Sequence, residues 1–125
     1  MKRKIETKNA PKATGPFSQA IKVGNFLFIG GQINLTKEGK LLAGNIEDEI
    51  LQIMNNLKSI LEEAGLGFKD VVKTTIFVTD MSFYGNVNEV YASYMSDPFP
   101  ARETVCVKEL PLGARVEISM IAAKA

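Results

Sequence analysis

Arg102 and Glu117 are the two side chains of this sequence best equipped for chemistry. Arg102 lies in the run Pro100-Ala101-Arg102-Glu103-Thr104-Val105, at the mouth of an expected strand, and Glu117 lies inside a second strand fifteen positions later. A guanidinium is a planar, permanently charged fork that binds a carboxylate through two parallel hydrogen bonds. A carboxylate beside it can take a proton from water or return one to a leaving nitrogen, a contribution of roughly 10²–10⁴-fold in rate. With neither a metal-ligand cluster nor an activated nucleophile in the sequence, the carbon attacked must already be electrophilic. Imines of 2-oxo acids meet that condition, because water adds readily to a protonated imine. The alternative, a structural ion pair between adjacent strands, fits the spacing equally well.

The residue inventory narrows the choice. There is no histidine, so the usual proton shuttle at neutral pH and commonest metal ligand is missing. The single cysteine, Cys106, rules out an internal disulfide and points to a reducing, cytoplasmic setting. Without a histidine to activate it, Cys106 is expected to be a small buried residue and not a nucleophile. A net charge of +1 gives no electrostatic reason to expect nucleic acid or an anionic membrane as partner. Met1-Lys2-Arg3-Lys4 is basic but leads into Ile5-Glu6-Thr7-Lys8 instead of an apolar segment, so no signal peptide is expected. No apolar run approaches the roughly 18 residues of a membrane span.

The elements that must position these side chains are legible from period and punctuation. At 125 residues, 46% of them apolar, the chain is expected to form one domain spanning residues 1–125. A short strand around residues 4–7 precedes a turn-rich entry marked by Ala10-Pro11 and Gly15-Pro16. Strands at 19–23 and 26–33 are joined by Gly24-Asn25. The Gly30-Gly31 doublet inside the second of these reads either as a bulge with close backbone approach or as room for a ligand. Asn45 is an N-cap for a helix running to Ala64, with Ile50, Ile53, Met54, Leu57, Ile60 and Leu61 at helical spacing and Gly65 at the stop. A strand at 71–79, a helix at 86–95 and strands at 102–107 and 115–122 complete the order β-β-β-α-β-α-β-β, an α+β domain with two helices on one sheet face.

Alternation along the last two strands offers a test of which residues share a face. If the more apolar sets, Val105 and Val107 in one strand and Val116, Ile118 and Met120 in the other, pack beneath the helices, then Arg102, Thr104, Cys106, Glu117 and Ser119 share the opposite face. That face also holds Thr75, Phe77 and Ile121 and is too apolar to be fully wet, so it is expected to meet another subunit. Tyr84, Tyr91 and Tyr94 are expected to be packing or surface residues, and Glu103 a solvated residue at the strand entry.

Several segments, in order along nearly the whole chain, resemble the reactive intermediate deaminase (RidA, or YjgF) family. They are Asn9-Ala10-Pro11, Gly15-Pro16-Phe17-Ser18-Gln19-Ala20, Gly31-Gln32-Ile33, Val72-Lys73-Thr74-Thr75, Val87-Asn88-Glu89-Val90-Tyr91, Phe99-Pro100-Ala101-Arg102 and Val116-Glu117-Ile118. The resemblance implies a chorismate-mutase-like fold, a barrel-cored homotrimer with ligand clefts between subunits, and cofactor-free hydrolysis of enamines and imines such as 2-iminobutanoate and 2-iminopropanoate to 2-oxo acids and ammonia. It casts Arg102 as the carboxylate-binding residue and Glu117 as the activator of water, with Phe17, Gly31, Gln32, Asn88 and Thr104 around the substrate.

The chain departs from the family pattern at several points. Phe17 replaces a usual tyrosine, Gly30 a common serine and Thr104 a frequent cysteine. Glu103 replaces a small or apolar residue, and Ser119 stands where a second acidic residue is common. Loss of the tyrosine and serine hydroxyls favours an alternative, a non-catalytic module that senses 2-oxo acids or amino-acid intermediates. The nuclease or translation-inhibitor activity associated with the family finds no basic patch in this sequence.

Overall fold

A computed structural model describes all residues from Met1 to Ala125. One six-stranded sheet is built from β1 (Arg3–Ile5), β2 (Ala20–Val23), β3 (Phe26–Gln32), β4 (Val71–Val78), β5 (Ala101–Cys106) and β6 (Val116–Ala123), in the spatial order β1-β2-β3-β6-β4-β5. All neighbours are antiparallel except β4 and β5, which run parallel and are linked through α2 (Tyr84–Tyr94). The longer helix, α1 (Ile46–Glu63), joins β3 to β4. The α+β order and the two helices on one face are those expected, with short 3₁₀ turns at Phe68–Asp70, Met81–Phe83 and Pro111–Gly113 added between elements.

The helix begins where its cap chemistry dictates. The Asn45 side chain accepts a hydrogen bond of 2.8 Å from the Asp48 amide, and Glu47, Asp48 and Glu49 occupy the positive end of the dipole. It stops at Ala64, followed by Gly65 at a φ of 75° that a Cβ would resist. Its stripe of Ile50, Ile53, Met54, Leu57, Ile60 and Leu61 is fully buried against Leu27, Ile29, Ile76, Val78, Ile118, Met120 and Ala122 of the sheet, and Val87, Val90 and Tyr91 of α2 complete the same core. Transfer of such side chains from water is worth about 1.5–3 kcal/mol each, which makes this layer the main source of stability.

The opposite sheet face has no helix on it. Val23, Phe26, Phe28 and Val105 there are each 41–49% exposed, and Phe26 and Phe28 stack with ring centroids 6.3 Å apart. No helix is long and apolar enough to cross a membrane.

β5 corrects the expected arrangement of faces. Arg102, Thr104 and Cys106 are in register with Thr74, Ile76 and Val78, the buried residues of β4, so they lie on the helix side. Glu103 and Val105 are in register with Thr75 and Phe77 on the open side. The alternation rule holds, but the inward set is Arg102, Thr104 and Cys106 and not the more apolar Val105 and Val107. Val105 is apolar because the open face is itself apolar, and it lies beside Phe77 there. Cys106, expected to be buried, is an exposed free thiol at the end of this edge strand.

Candidate functional site

Glu117 leaves β6 on the open face, in register with Phe77. It does not project freely, because its side chain lies over Gly31 of β3. A Cβ built on Gly31 would stand 2.6 Å from the Glu117 Oε2 and 2.7 Å from Cδ, so only a glycine lets the carboxylate settle there. The pairing of β3 with β6 slips between Ile29 and Gln32, which makes Gly30-Gly31 a bulge. Both structural features of the glycine doublet are therefore present, a bulge and a close approach, and the approaching group is Glu117. Burial raises the pKa of Glu117 above the ordinary glutamate value.

This carboxylate forms part of the wall of a cavity of about 370 Å³, which Phe17, Gly31, Gln32 and Leu112 also line. The loop carrying Phe17 is tied down by Gln19, which is buried. The Gln19 Nε2 donates to the carbonyls of Pro11 at 2.8 Å and Thr7 at 3.1 Å, and its Oε1 accepts from the Thr7 amide at 2.8 Å. Asn56 does the same for the far wall, donating to the Leu35 carbonyl at 2.8 Å. Across the cavity stands the turn Pro111-Leu112-Gly113-Ala114, closed by a 3.1 Å bond from the Ala114 amide to the Pro111 carbonyl. Leu112 and Gly113 both have positive φ, 57° and 72°. For leucine this left-handed conformation is strained by about 1–3 kcal/mol.

Arg102 belongs to a different constellation. Its Nη2 donates to the Asn88 Oδ1 at 2.5 Å, and the guanidinium carbon lies 5.6 Å from the Tyr84 ring and 5.1 Å from the Tyr91 ring. Tyr91 is itself fixed, its hydroxyl donating to the Thr74 Oγ1 at 2.9 Å, and burial raises its pKa. Three side chains of α2 at positions 84, 88 and 91 thus cradle the cation from one helix stripe, and the bond to Asn88 is the one hydrogen bond the guanidinium makes within the chain. Thr104, two residues further along the same strand face, has a buried hydroxyl with no hydrogen-bond partner.

The expected site residues therefore fall into two groups. Phe17, Gly31, Gln32 and Glu117 meet at the cavity, and Arg102, Asn88 and Thr104 meet at the helix side of β5. The two groups are not brought together within the chain, and Arg102 forms no ion pair with Glu117, which excludes the structural-pair alternative. Sequence reasoning passed over the cradle of Tyr84 and Tyr91, although their heptad spacing around Asn88 marks one helix face. It also passed over Leu112, for which the only signal was a turn ending in Gly113.

A third cluster braces both groups. The Arg115 Nε and Nη2 contact the two carboxylate oxygens of buried Glu49 at 3.0 and 2.8 Å, Arg115 lies over the Phe83 ring at 5.3 Å, and the pairing raises its pKa further. It ties the start of β6, two residues before Glu117, to the first turn of α1 and the approach to α2.

The family model described as Endoribonuclease L-PSP matches residues 7–124. A RutC family protein of Pyrococcus horikoshii is 49% identical over 125 residues, covering 99% of each chain. A 2-iminobutanoate/2-iminopropanoate deaminase of Mus musculus is 43% identical over 123 residues, covering 98% of this chain and 91% of the mouse protein. Among solved structures, RidA from the Antarctic bacterium Psychrobacter sp. PAMC 21119 superposes with a TM-score of 0.93 at 41% identity, covering 98% of this chain and 99% of that one.

Proposed function

The chain belongs to the endoribonuclease L-PSP family, the RidA/YjgF family of reactive intermediate deaminases, and from that membership we propose that it hydrolyses 2-imino acids such as 2-iminobutanoate and 2-iminopropanoate to 2-oxo acids and ammonia. The observation that carries this reading is the Glu117 carboxylate, seated on bare Gly31 in a cavity wall and raised in pKa by burial. Burial makes this carboxylate a stronger base than a solvated glutamate, which suits it to accept and return a proton.

In this mechanism Arg102, held by Asn88, binds the substrate carboxylate and orients the imine carbon. Water adds to that carbon while the C=N electron pair moves to nitrogen, and Glu117 accepts the proton that the water loses. Glu117 then returns the proton to the nitrogen. The carbinolamine hydroxyl gives its proton to the Glu117 carboxylate, now ionised again, as the C–N bond breaks, and a 2-oxo acid and ammonia leave. An enamine enters the same sequence after protonation at carbon.

Arg102 and Glu117 lie on opposite faces of one sheet, so the complete site in this reading forms between chains, with Arg102 of one protomer facing Glu117 of its neighbour. A homotrimer with its open sheet faces turned inward would also cover Val23, Phe26, Phe28 and Val105. The cytoplasmic, cofactor-free role and a single domain over residues 1–125 belong to the same proposal.

The deciding experiment generates 2-iminobutanoate in situ with an amino-acid-eliminating enzyme and follows its decay with and without micromolar protein. Acceleration that is lost in Arg102→Ala and Glu117→Gln supports the mechanism. No acceleration would leave the ligand-sensing alternative, and full activity in Arg102→Ala would remove Arg102 from the site.

A further inference from the structure

Leu112 is an apolar residue in a conformation that disfavours it, and its side chain is 69% exposed. A turn with two successive left-handed residues ordinarily takes asparagine or aspartate before the glycine. Leucine there leaves about two-thirds of its surface exposed, so burial within the protomer gives little reason for it. Strain of this kind concentrates where a ligand is held.

The surroundings of Leu112 say what that ligand part is. Phe17, 65% exposed, lines the same cavity, and its ring is seated on Gly15, where a Cβ would stand 2.7 Å from the ring Cε2. Ile33, Leu35 and Pro111 continue the apolar wall, and the charged residues of the lining are Lys12 and Glu117 alone. A volume of about 370 Å³ is far more than a methyl or ethyl side chain occupies.

We propose that Leu112 and Phe17 form an apolar jaw that receives the substrate side chain and selects 2-imino acids with branched aliphatic side chains over those with a methyl group. This inference rests on the imine-hydrolase reading and adds to it a substrate class and a specificity-determining residue. The strained turn places the leucine in the lining of the cavity that also holds Glu117 and Phe17, where a longer side chain displaces water from both apolar surfaces.

The test compares wild type with Leu112→Asn on the imines of leucine and alanine, each generated in situ by an amino-acid oxidase, with kcat/KM measured for both. The wild type should favour the leucine-derived imine by about tenfold, and Leu112→Asn should bring that ratio close to unity. The thermal midpoint of the variant should rise, because asparagine accepts the left-handed conformation, and its elution volume on size exclusion should match the wild type. Equal loss on both imines, no preference in the wild type, or an altered oligomer mass would overturn the proposal, the last making Leu112 a subunit contact. If no imine is accelerated, the hydrolase reading fails separately, and calorimetric binding of 4-methyl-2-oxopentanoate against pyruvate decides the jaw. A preference for the branched acid that Leu112→Asn abolishes upholds it, and equal affinities sink it.

Discussion

Arg102 and Glu117 leave opposite faces of one sheet, since their register partners on β4, Thr74 and Phe77, are three residues apart. That offset amounts to roughly 10 Å along the strand, with two strand spacings between them as well. A single chain therefore cannot close this pair on one small acid. If the site is shared between chains, Arg102→Ala and Glu117→Gln should each be inactive alone and rescue one another when unfolded together and refolded as a mixture. Random pairing leaves about one quarter of the interfaces with both residues intact, so about a quarter of wild-type activity should return. A mixture as inactive as its components would show that both residues must come from one chain.

Gly31 supplies a second test that changes neither charged residue. Its missing Cβ is the space in which the Glu117 carboxylate rests. Gly31→Ala should push that carboxylate aside by about the 1 Å that costs roughly a hundredfold in kcat. Its circular dichroism should match the wild type, because the clash is with the far end of a side chain and can be relieved without moving backbone. Undiminished turnover in this variant would mean that the seat on Gly31 is not the catalytic position of Glu117.

The elements were readable wherever a local signal agreed with the tertiary outcome. Asn45, the stripe from Ile50 to Leu61 and Gly65 define α1 without help from the rest of the chain, and the alternation of Val116, Ile118 and Met120 identifies the buried side of β6. β5 was misread because its apolar residues answer to a surface that one chain leaves exposed. Val105 lies beside Phe77 there, so counting apolar residues selected the wrong side. The Gly30-Gly31 doublet marked Gly31 locally, but Phe17 and Gln32 were identifiable only from their family motifs, since nothing local brings residues so far from Glu117 in sequence to its side. Leu112 was illegible for another reason: its left-handed backbone contradicts the preference of leucine.

Glu117 also makes a pH prediction. Burial raises its folded pKa above the unfolded value, so the folded chain holds this proton more tightly than the unfolded chain. The resulting stability is fully present below the unfolded pKa and is lost as pH rises through the folded one. Glu117→Gln should then melt higher than wild type at neutral pH, with the difference vanishing in acid. Wild-type turnover should rise with pH through the same shifted pKa, as the base becomes ionised. A variant that melts lower at neutral pH, or a rate profile governed by an unshifted carboxylate, would contradict the desolvated base.

Asn88 and Tyr91 separate the binding of the carboxylate from the support of the cradle. Asn88→Ala removes the acceptor that fixes the Arg102 fork but leaves both tyrosine rings in place. A charge-assisted hydrogen bond is worth about 1.5–3 kcal/mol, so the dissociation constant for a 2-oxo acid should rise by roughly 10–100-fold, with little change in the melting midpoint. Tyr91→Phe keeps an aromatic face for the guanidinium but strands the buried Thr74 hydroxyl. It should cost about 1–3 kcal/mol of stability and leave affinity within a fewfold of wild type. Isothermal titration and denaturant melts on the two variants distinguish these roles: if Asn88→Ala binds as tightly as wild type, Arg102 is oriented by its aromatic cradle alone.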